Sequence, residues 1–179
     1  VIVRLCNLCL KKSAKYRLKF WCLCDAENRY VLALELYSGK ISNVIQRNFA
    51  TSIALRLVDQ LPSNVKYGRN VTYDRYFTDL NLAKALLERK MTSLGVVDHK
   101  RAFVPNELKM SRKQLYSSWF YFSGPYTILS YQAKERKPPV ILLSTLHEYS
   151  EVLDDDKTLP VMVHYDNQTK FGVDLVEQC

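Results

Sequence analysis

Hydrophobic and polar positions change rhythm along this chain. Residues 16–24 are dense in aromatic and apolar side chains and predict a strand. A polar turn follows at 25–29. Residues 30–37 then predict a second strand, paired with the first as a hairpin and ended by Ser38 and Gly39. Over 51–61, Ile53, Ala54, Leu57, Val58 and Leu61 recur at helical spacing, and Pro62 stops that helix. A short strand is expected at 71–73, with Asp74 at its carboxyl end. Thr78 or Asp79 caps a helix reaching Arg89, with Leu82, Ala83, Leu86 and Leu87 turned inward. Residues 91–97 are the next strand. Strand, helix, strand, helix, strand is a βαβ-type order.

From about Phe103 to Val163 the helical period is lost. Residues 115–122 and 126–132 flank Gly124-Pro125 and predict a hairpin. A basic loop at 134–139, a strand at 140–146, an acidic connection at 148–157 and a strand at 161–165 follow. Residues 172–178 read as the start of a helix. The expected fold is α/β. Residues 1–102 form the first part of the domain, 103–165 a β-rich insertion, and 166–179 the start of the remaining part. The chain starts and stops inside patterned sequence, so it reads as a piece of a longer protein.

Charge sharpens this picture. The 179 residues carry 26 Lys and Arg against 18 Asp and Glu, a net +8. The excess is uneven: +6 over 1–19, +3 over 20–97, +5 over 98–139 and −6 over 140–179. Basic stretches with an acidic tail suit a polyanion, most simply nucleic acid, and equally describe a solvated basic surface. There is no run of 18 apolar residues, so no membrane span or membrane partner is expected. The five cysteines, Cys6, Cys9, Cys22, Cys24 and Cys179, are odd in number and suit a reducing compartment. Cys6-x-x-Cys9 with Cys22-x-Cys24 has the makings of four zinc thiolates. Cys-x-Cys inside a strand pattern is more simply two packed thiols on one face, and zinc is not expected.

Three aspartates stand where a hard-metal site can be built. Asp25 ends the first strand, Asp74 ends another, and Asp174 opens the terminal helix. Carboxylates at strand ends and a helix start can converge above one edge of a sheet, and three oxygen ligands suit Mg²⁺ or Mn²⁺. Two such ions about 4 Å apart would activate water against a phosphodiester. Each aspartate also has a plainer reading: Asp25 as a turn former, Asp74 as the approach to a helix, Asp174 as a cap.

Local words add to this. Val71-Thr-Tyr-Asp74-Arg-Tyr-Phe-Thr78, followed by Leu82-Ala-Lys-Ala-Leu-Leu87, resembles the second-aspartate segment of piggyBac-type transposases. Leu94-Gly95-Val-Val with Lys100, Arg101 and Pro105 resembles the basic motif after it. Gly124-Pro125, Ile128-Leu-Ser-Tyr131 and Val140-Ile-Leu-Leu-Ser144 are similar to the family's next strands. Tyr165-Asp-Asn-Gln-Thr-Lys170 with Gly172-Val-Asp174 resembles the third-aspartate segment, and Trp21-Cys-Leu-Cys-Asp25 the first.

The resemblance implies a ribonuclease-H-like mixed sheet flanked by helices, with a β-rich insertion. It implies DNA excision and integration at TTAA sites by hydrolysis and transesterification, without a covalent enzyme intermediate. Asp25, Asp74 and Asp174 would hold two Mg²⁺ or Mn²⁺ ions, with Glu177 a further ligand. Arg75, Lys100, Arg101, Lys109, Arg112, Lys113, Lys134, Arg136, Lys137 and Lys170 would contact double-stranded DNA, at transposon ends or target. A homodimer and a nuclear location go with that reading.

Three departures from the family pattern bear on activity. Arg75 stands where Asn is common, and a cation turned toward a metal ligand would weaken ion binding. Asp98 stands where an Arg is usual and would repel phosphate. Phe171 breaks a Gly pair and would be costly if that backbone needed positive φ. A domesticated copy that binds DNA without cutting it is therefore a second expectation, and a non-enzymatic interaction module a third. The aromatic run Trp119, Phe120, Tyr121, Phe122 is compatible with base stacking, and more simply with two faces of a hairpin. His99, His147 and His164 have no metal-like spacing, and the last two are read as strand-end residues.

Overall fold

The computed structural model describes residues 2–10, 18–28, 30–37, 48–111 and 114–174. Strands β1 (Ile2–Leu10), β2 (Leu18–Asp25) and β3 (Val31–Leu36) come first, followed by α1 (Phe49–Asp59) and the one-turn α2 (Ser63–Lys66). Next are β4 (Asn70–Tyr73), α3 (Leu80–Glu88), β5 (Thr92–Val96) and the short α4 (Asn106–Lys109). Strands β6 (Ser118–Ser123), β7 (Tyr126–Tyr131) and β8 (Val140–Ser144) precede the closing helix α5 (Val161–Asp174). The eight strands form one sheet in the order β3-β2-β1-β4-β5-β8-β7-β6. Its centre, β1–β4–β5, is parallel and every other pairing is antiparallel.

Alternation of side chains across each strand gives the sheet two packed faces. Val3, Leu5, Trp21, Leu23, Val71 and Tyr73 face α1 and α3, where Ile53, Leu57, Leu82 and Leu86 close over them. Each fully buried side chain of this kind contributes on the order of 1.5–3 kcal/mol. On the other face Leu94, Leu129 and Leu142 pack with Met162 and Val163 of α5. Asp79 caps α3, its Oδ1 accepting the Asn81 N–H at 2.8 Å.

Several elements follow the sequence reading, and two depart from it. Residues 161–165 are expected as a strand and 172–178 as a helix start; instead one helix runs from Val161 to Asp174, taking in 172–174, and 175–178 lie outside the described residues. Val-Met-Val-His-Tyr imitates a strand because the helix's buried stripe continues as Asp166 and Thr169, two polar residues that a hydrophobic pattern omits. His164 consequently lies in a helix. Phe171 and Gly172 are both helical, so the positive φ that Phe171 would have strained is not required. The second departure is β1, which the sequence reading did not assign and which separates β2 from β4. The segment 103–165, expected as an insertion, supplies β6, β7 and β8, which continue the same sheet from β5, and residue 165 falls inside α5.

Candidate nucleic-acid interface

Asp74 stands immediately after β4, and its backbone and side chain build the loop into α3. Its Oδ1 accepts the Tyr76 N–H at 2.7 Å, and its carbonyl accepts the Phe77 N–H at 3.1 Å and the Thr78 hydroxyl at 2.9 Å. After β5 the chain makes a similar turn at Asp98. Its Oδ1 accepts the Lys100 N–H at 2.9 Å and its carbonyl the Arg101 N–H at 3.0 Å. That amide bond, followed by the nearby charges of Arg75, Lys100 and Arg101, holds the Asp98 carboxyl below the usual carboxylate range.

The two turns and the amino end of α1 enclose a cleft of about 830 Å³. Three cations (Arg75, Lys100, Arg101) and three carboxylates (Asp74, Asp79, Asp98) line it. Arg101 Nη1 donates to Asp79 Oδ2 at 3.3 Å. Residues 48–51 form the remaining wall, and α1 has no side-chain cap there and no acid in its first turn. Its first N–H groups therefore favour an anion. The cleft sits at the carboxyl ends of two parallel strands, the place where open α/β sheets take ligands. Lys134, Arg136 and Lys137 are exposed in the connection between β7 and β8. Pairing of Tyr131 with Val140 and Val96 with Leu142 puts that connection at the same end of the sheet.

Aromatic rings continue the wall. Tyr76, 43% exposed, stacks on buried Trp21 with ring centroids 5.3 Å apart and planes 15° from parallel. Phe77 meets Trp21 edge-on at 5.5 Å. Lys19 Nζ lies 4.3, 5.4 and 5.8 Å from the Trp21, Tyr37 and Tyr76 ring centroids. Partial burial, then the neighbouring Tyr37 and Asp74, push the Tyr76 phenol above its ordinary range. Sequence reasoning missed Lys19, Tyr76 and the α1 wall. The available signal was the period-2 placement of Lys19 and Trp21 on one face of β2.

The expected convergence of aspartates is not what the register provides. Asp25 pairs with Val3, which also pairs with Val71 at the amino end of β4. Asp74 comes one step beyond the Leu5–Tyr73 pair, at the other end. Three residue steps and two strand spacings separate them, roughly 14 Å. Alternation also turns Asp25 toward the face of Val3, opposite to Asp74's. Asp25 is a buried turn former: its Oδ1 accepts the Glu27 and Asn28 N–H groups, both at 2.9 Å. Asp174 is the last described residue of α5, and Glu177, Arg112 and Lys113 lie outside the described residues. Lys170 is in α5, and Lys109 ends α4, its Nζ 3.4 Å from Asn106 Oδ1. Among the described residues no three His, Cys, Asp or Glu group as a metal site. Asp25 and Asp74 therefore do not meet at one metal site, and the side chains of Asp174 and Glu177 lie outside what is described. No helix among the described residues is long and apolar enough to cross a membrane.

A mixed sheet with a parallel β1–β4–β5 centre, helices on both faces and a polar cleft at the strand ends defines an α/β core of the ribonuclease-H-like kind. Residues 7–179 match the model of the Transposase IS4 family, and the chain belongs to that family. Its structure is similar to that of a piggyBac transposase in a synaptic complex with hairpin DNA, with 29% identity and a TM-score of 0.83. The match covers 99% of this chain and 39% of that one, so the chain spans about two fifths of that protein's length. The piggyBac-type resemblance read from the sequence is borne out. A Bacillus subtilis endonuclease V is a far weaker match, 9% identical over 99% of this chain and 81% of that one; at a TM-score of 0.41 it carries no argument. No curated protein matches the chain.

Proposed function

We propose that this transposase core holds double-stranded DNA by its phosphodiester backbone in the Asp74–Asp98 cleft, and that it does so without a self-contained cutting centre. The observation that carries the reading is the meeting of Arg75, Lys100, Arg101 and the uncapped amino end of α1 in one cleft. Lys134, Arg136 and Lys137 extend the basic surface along the same sheet end. Asp79 ties Arg101, while Arg75 and Lys100 are exposed and make no ion pair among the described residues, so they are the cations best placed to meet phosphate. The similar piggyBac transposase is seen with hairpin DNA in a synaptic complex. By that likeness the partner is a transposon end, paired copies assemble on it, and the work is nuclear.

The test is titration of a DNA duplex at several salt concentrations. Each neutralised phosphate contributes about 0.9 to the slope of log K against log[salt]. A triple Arg75→Ala, Lys100→Ala, Arg101→Ala variant should lower the slope by roughly 2–3. Absence of salt-sensitive binding, or an unchanged slope in the variant, would overturn the reading.

The second reading is cutting at TTAA with Mg²⁺ or Mn²⁺. Asp74's place at the carboxyl end of a parallel strand inside the cleft favours it. It requires Asp25 to join Asp74. Mn²⁺-dependent nicking that is lost in both Asp25→Asn and Asp74→Asn would replace the first reading with this one.

A further inference from the structure

We infer that the aromatic wall of the cleft is a subsite for an unpaired nucleotide of the bound DNA, with the base stacked on Tyr76 and its phosphate on Lys19 and Arg75. The inference rests on the DNA-holding reading and adds the strand feature that is recognised. The Tyr76 ring stacks on Trp21 and meets Phe77 edge-on at 5.1 Å, and the residue is still 43% exposed, so solvent-facing surface remains for a planar ring to lie against. Tyr37, 37% exposed, flanks it. The supporting Trp21 is fixed by edge contacts from Phe49, Phe77 and Tyr37, at 6.5, 5.5 and 6.0 Å. Tyr76 therefore stacks on a platform that does not have to be ordered on binding.

The charge beside the platform suits a phosphate. Lys19 Nζ is held over three rings and makes no ion pair among the described residues, and Arg75 is exposed next in sequence to Tyr76. Asp74 is the nearest carboxylate in sequence, and its Oδ1 already accepts the Tyr76 N–H. A base in a duplex has both faces stacked and cannot use this platform. An unpaired base can, and such stacking tolerates any base because each has a π face.

The experiment measures affinity for three DNA probes: a blunt duplex, the same duplex with a short unpaired tail carrying 2-aminopurine, and the duplex with an abasic tail. The parent chain should bind the base-bearing tail about tenfold more tightly than the abasic one, with quenched 2-aminopurine fluorescence. Tyr76→Leu should bring the ratio of base-bearing to abasic affinity to about one, and Tyr76→Phe should keep it. Equal affinity for the two tails in the parent, or a ratio retained by Tyr76→Leu, would overturn the subsite while leaving duplex binding intact. No binding of any probe would overturn the DNA-holding reading, and the subsite with it.

Discussion

Gly95 offers the sharpest check on how the sheet and the cleft are joined. It lies in β5 directly opposite Tyr73 of β4. A Cβ at this position would stand 2.3 and 2.4 Å from two ring carbons of Tyr73 and 2.7 Å from Thr78 Oγ1. Carbon atoms in contact sit about 3.5–4.0 Å apart, so ring or strand has to move by more than about 1 Å. Tyr73 is 1% exposed and packed among Val71, Phe77 and Leu86, so it has no free space to enter. Overpacking of this kind costs about 1–3 kcal/mol, and Gly95→Ala belongs near the upper end. For a chain of this size that is a fall in Tm of roughly 6–12 °C. Urea and thermal unfolding of parent and variant measure it. In a double-mutant cycle Tyr73→Ala should cost less in the Gly95→Ala background than in the parent, because the ring that meets the new methyl is then absent. A loss within about 0.5 kcal/mol of the parent would refute the β4–β5 register and the Tyr73 packing. Thr78, the third atom in the clash, holds the Asp74 carbonyl, so the same substitution should also weaken duplex binding.

Four other expectations are open to measurement. Asp79→Ala removes the α3 cap and should cost about 1 kcal/mol in urea unfolding. Asp59 takes two bonds of 3.0 Å from Arg89, and Arg89 chiefly holds its carboxyl below the usual range. Because that pKa is depressed, the stabilisation exists above the ordinary carboxylate range and is lost in acid. Asp59→Asn should therefore cost about 0.5 kcal/mol at pH 7, the pair being half exposed, and the difference should close at acid pH. His147, whose Nδ1 lies 2.9 Å from Ser144 Oγ, has its pKa lowered by burial. The unfolded chain thus binds the proton more readily, so stability should fall as pH drops below about 6.5, and His147→Gln should flatten that fall. Arg75→Asn should weaken duplex binding and reduce its salt slope by about 1, as loss of one phosphate contact requires.

The parts of the fold that the sequence disclosed are those where period and punctuation agree. The α3 helix has its inward leucines and Asp79 at its start; β6 and β7 have Gly124-Pro125 between them; β4 and β5 flank α3 as a βαβ unit requires. What stayed hidden is instructive. The α5 stripe uses Asp166 and Thr169 as buried residues, so its apolar signal stops after one turn. The error over Asp25 has a topological cause. With β1 unassigned, β2 is free to be placed beside β4 and parallel to it, which brings Asp25 to Asp74's end. Inserting β1, antiparallel to β2 and parallel to β4, reverses β2 and carries Asp25 to the far end. One overlooked strand thereby parts Asp25 from Asp74 and leaves Asp74 in the cleft without it.

That change also explains Arg75 and Asp98, the residues least expected beside a metal. A cleft built to hold two divalent cations needs an excess of uncommitted carboxylate oxygens. Here three carboxylates face three guanidinium or ammonium groups, so the lining carries no excess of negative charge, and one oxygen of each carboxylate serves the backbone of its own turn. Asp74, Asp79 and Asp98 shape the loops after β4 and β5, and Arg101 is tethered to Asp79 at 3.3 Å. Arg75 and Lys100, exposed at the tips of those loops, retain donors for an incoming phosphate. Asp98 thus does not cancel the basic turn it belongs to. By accepting the Lys100 N–H it fixes the turn that presents Lys100 and Arg101, and that same bond, followed by the charges of Arg75, Lys100 and Arg101, holds its carboxyl below the usual carboxylate range.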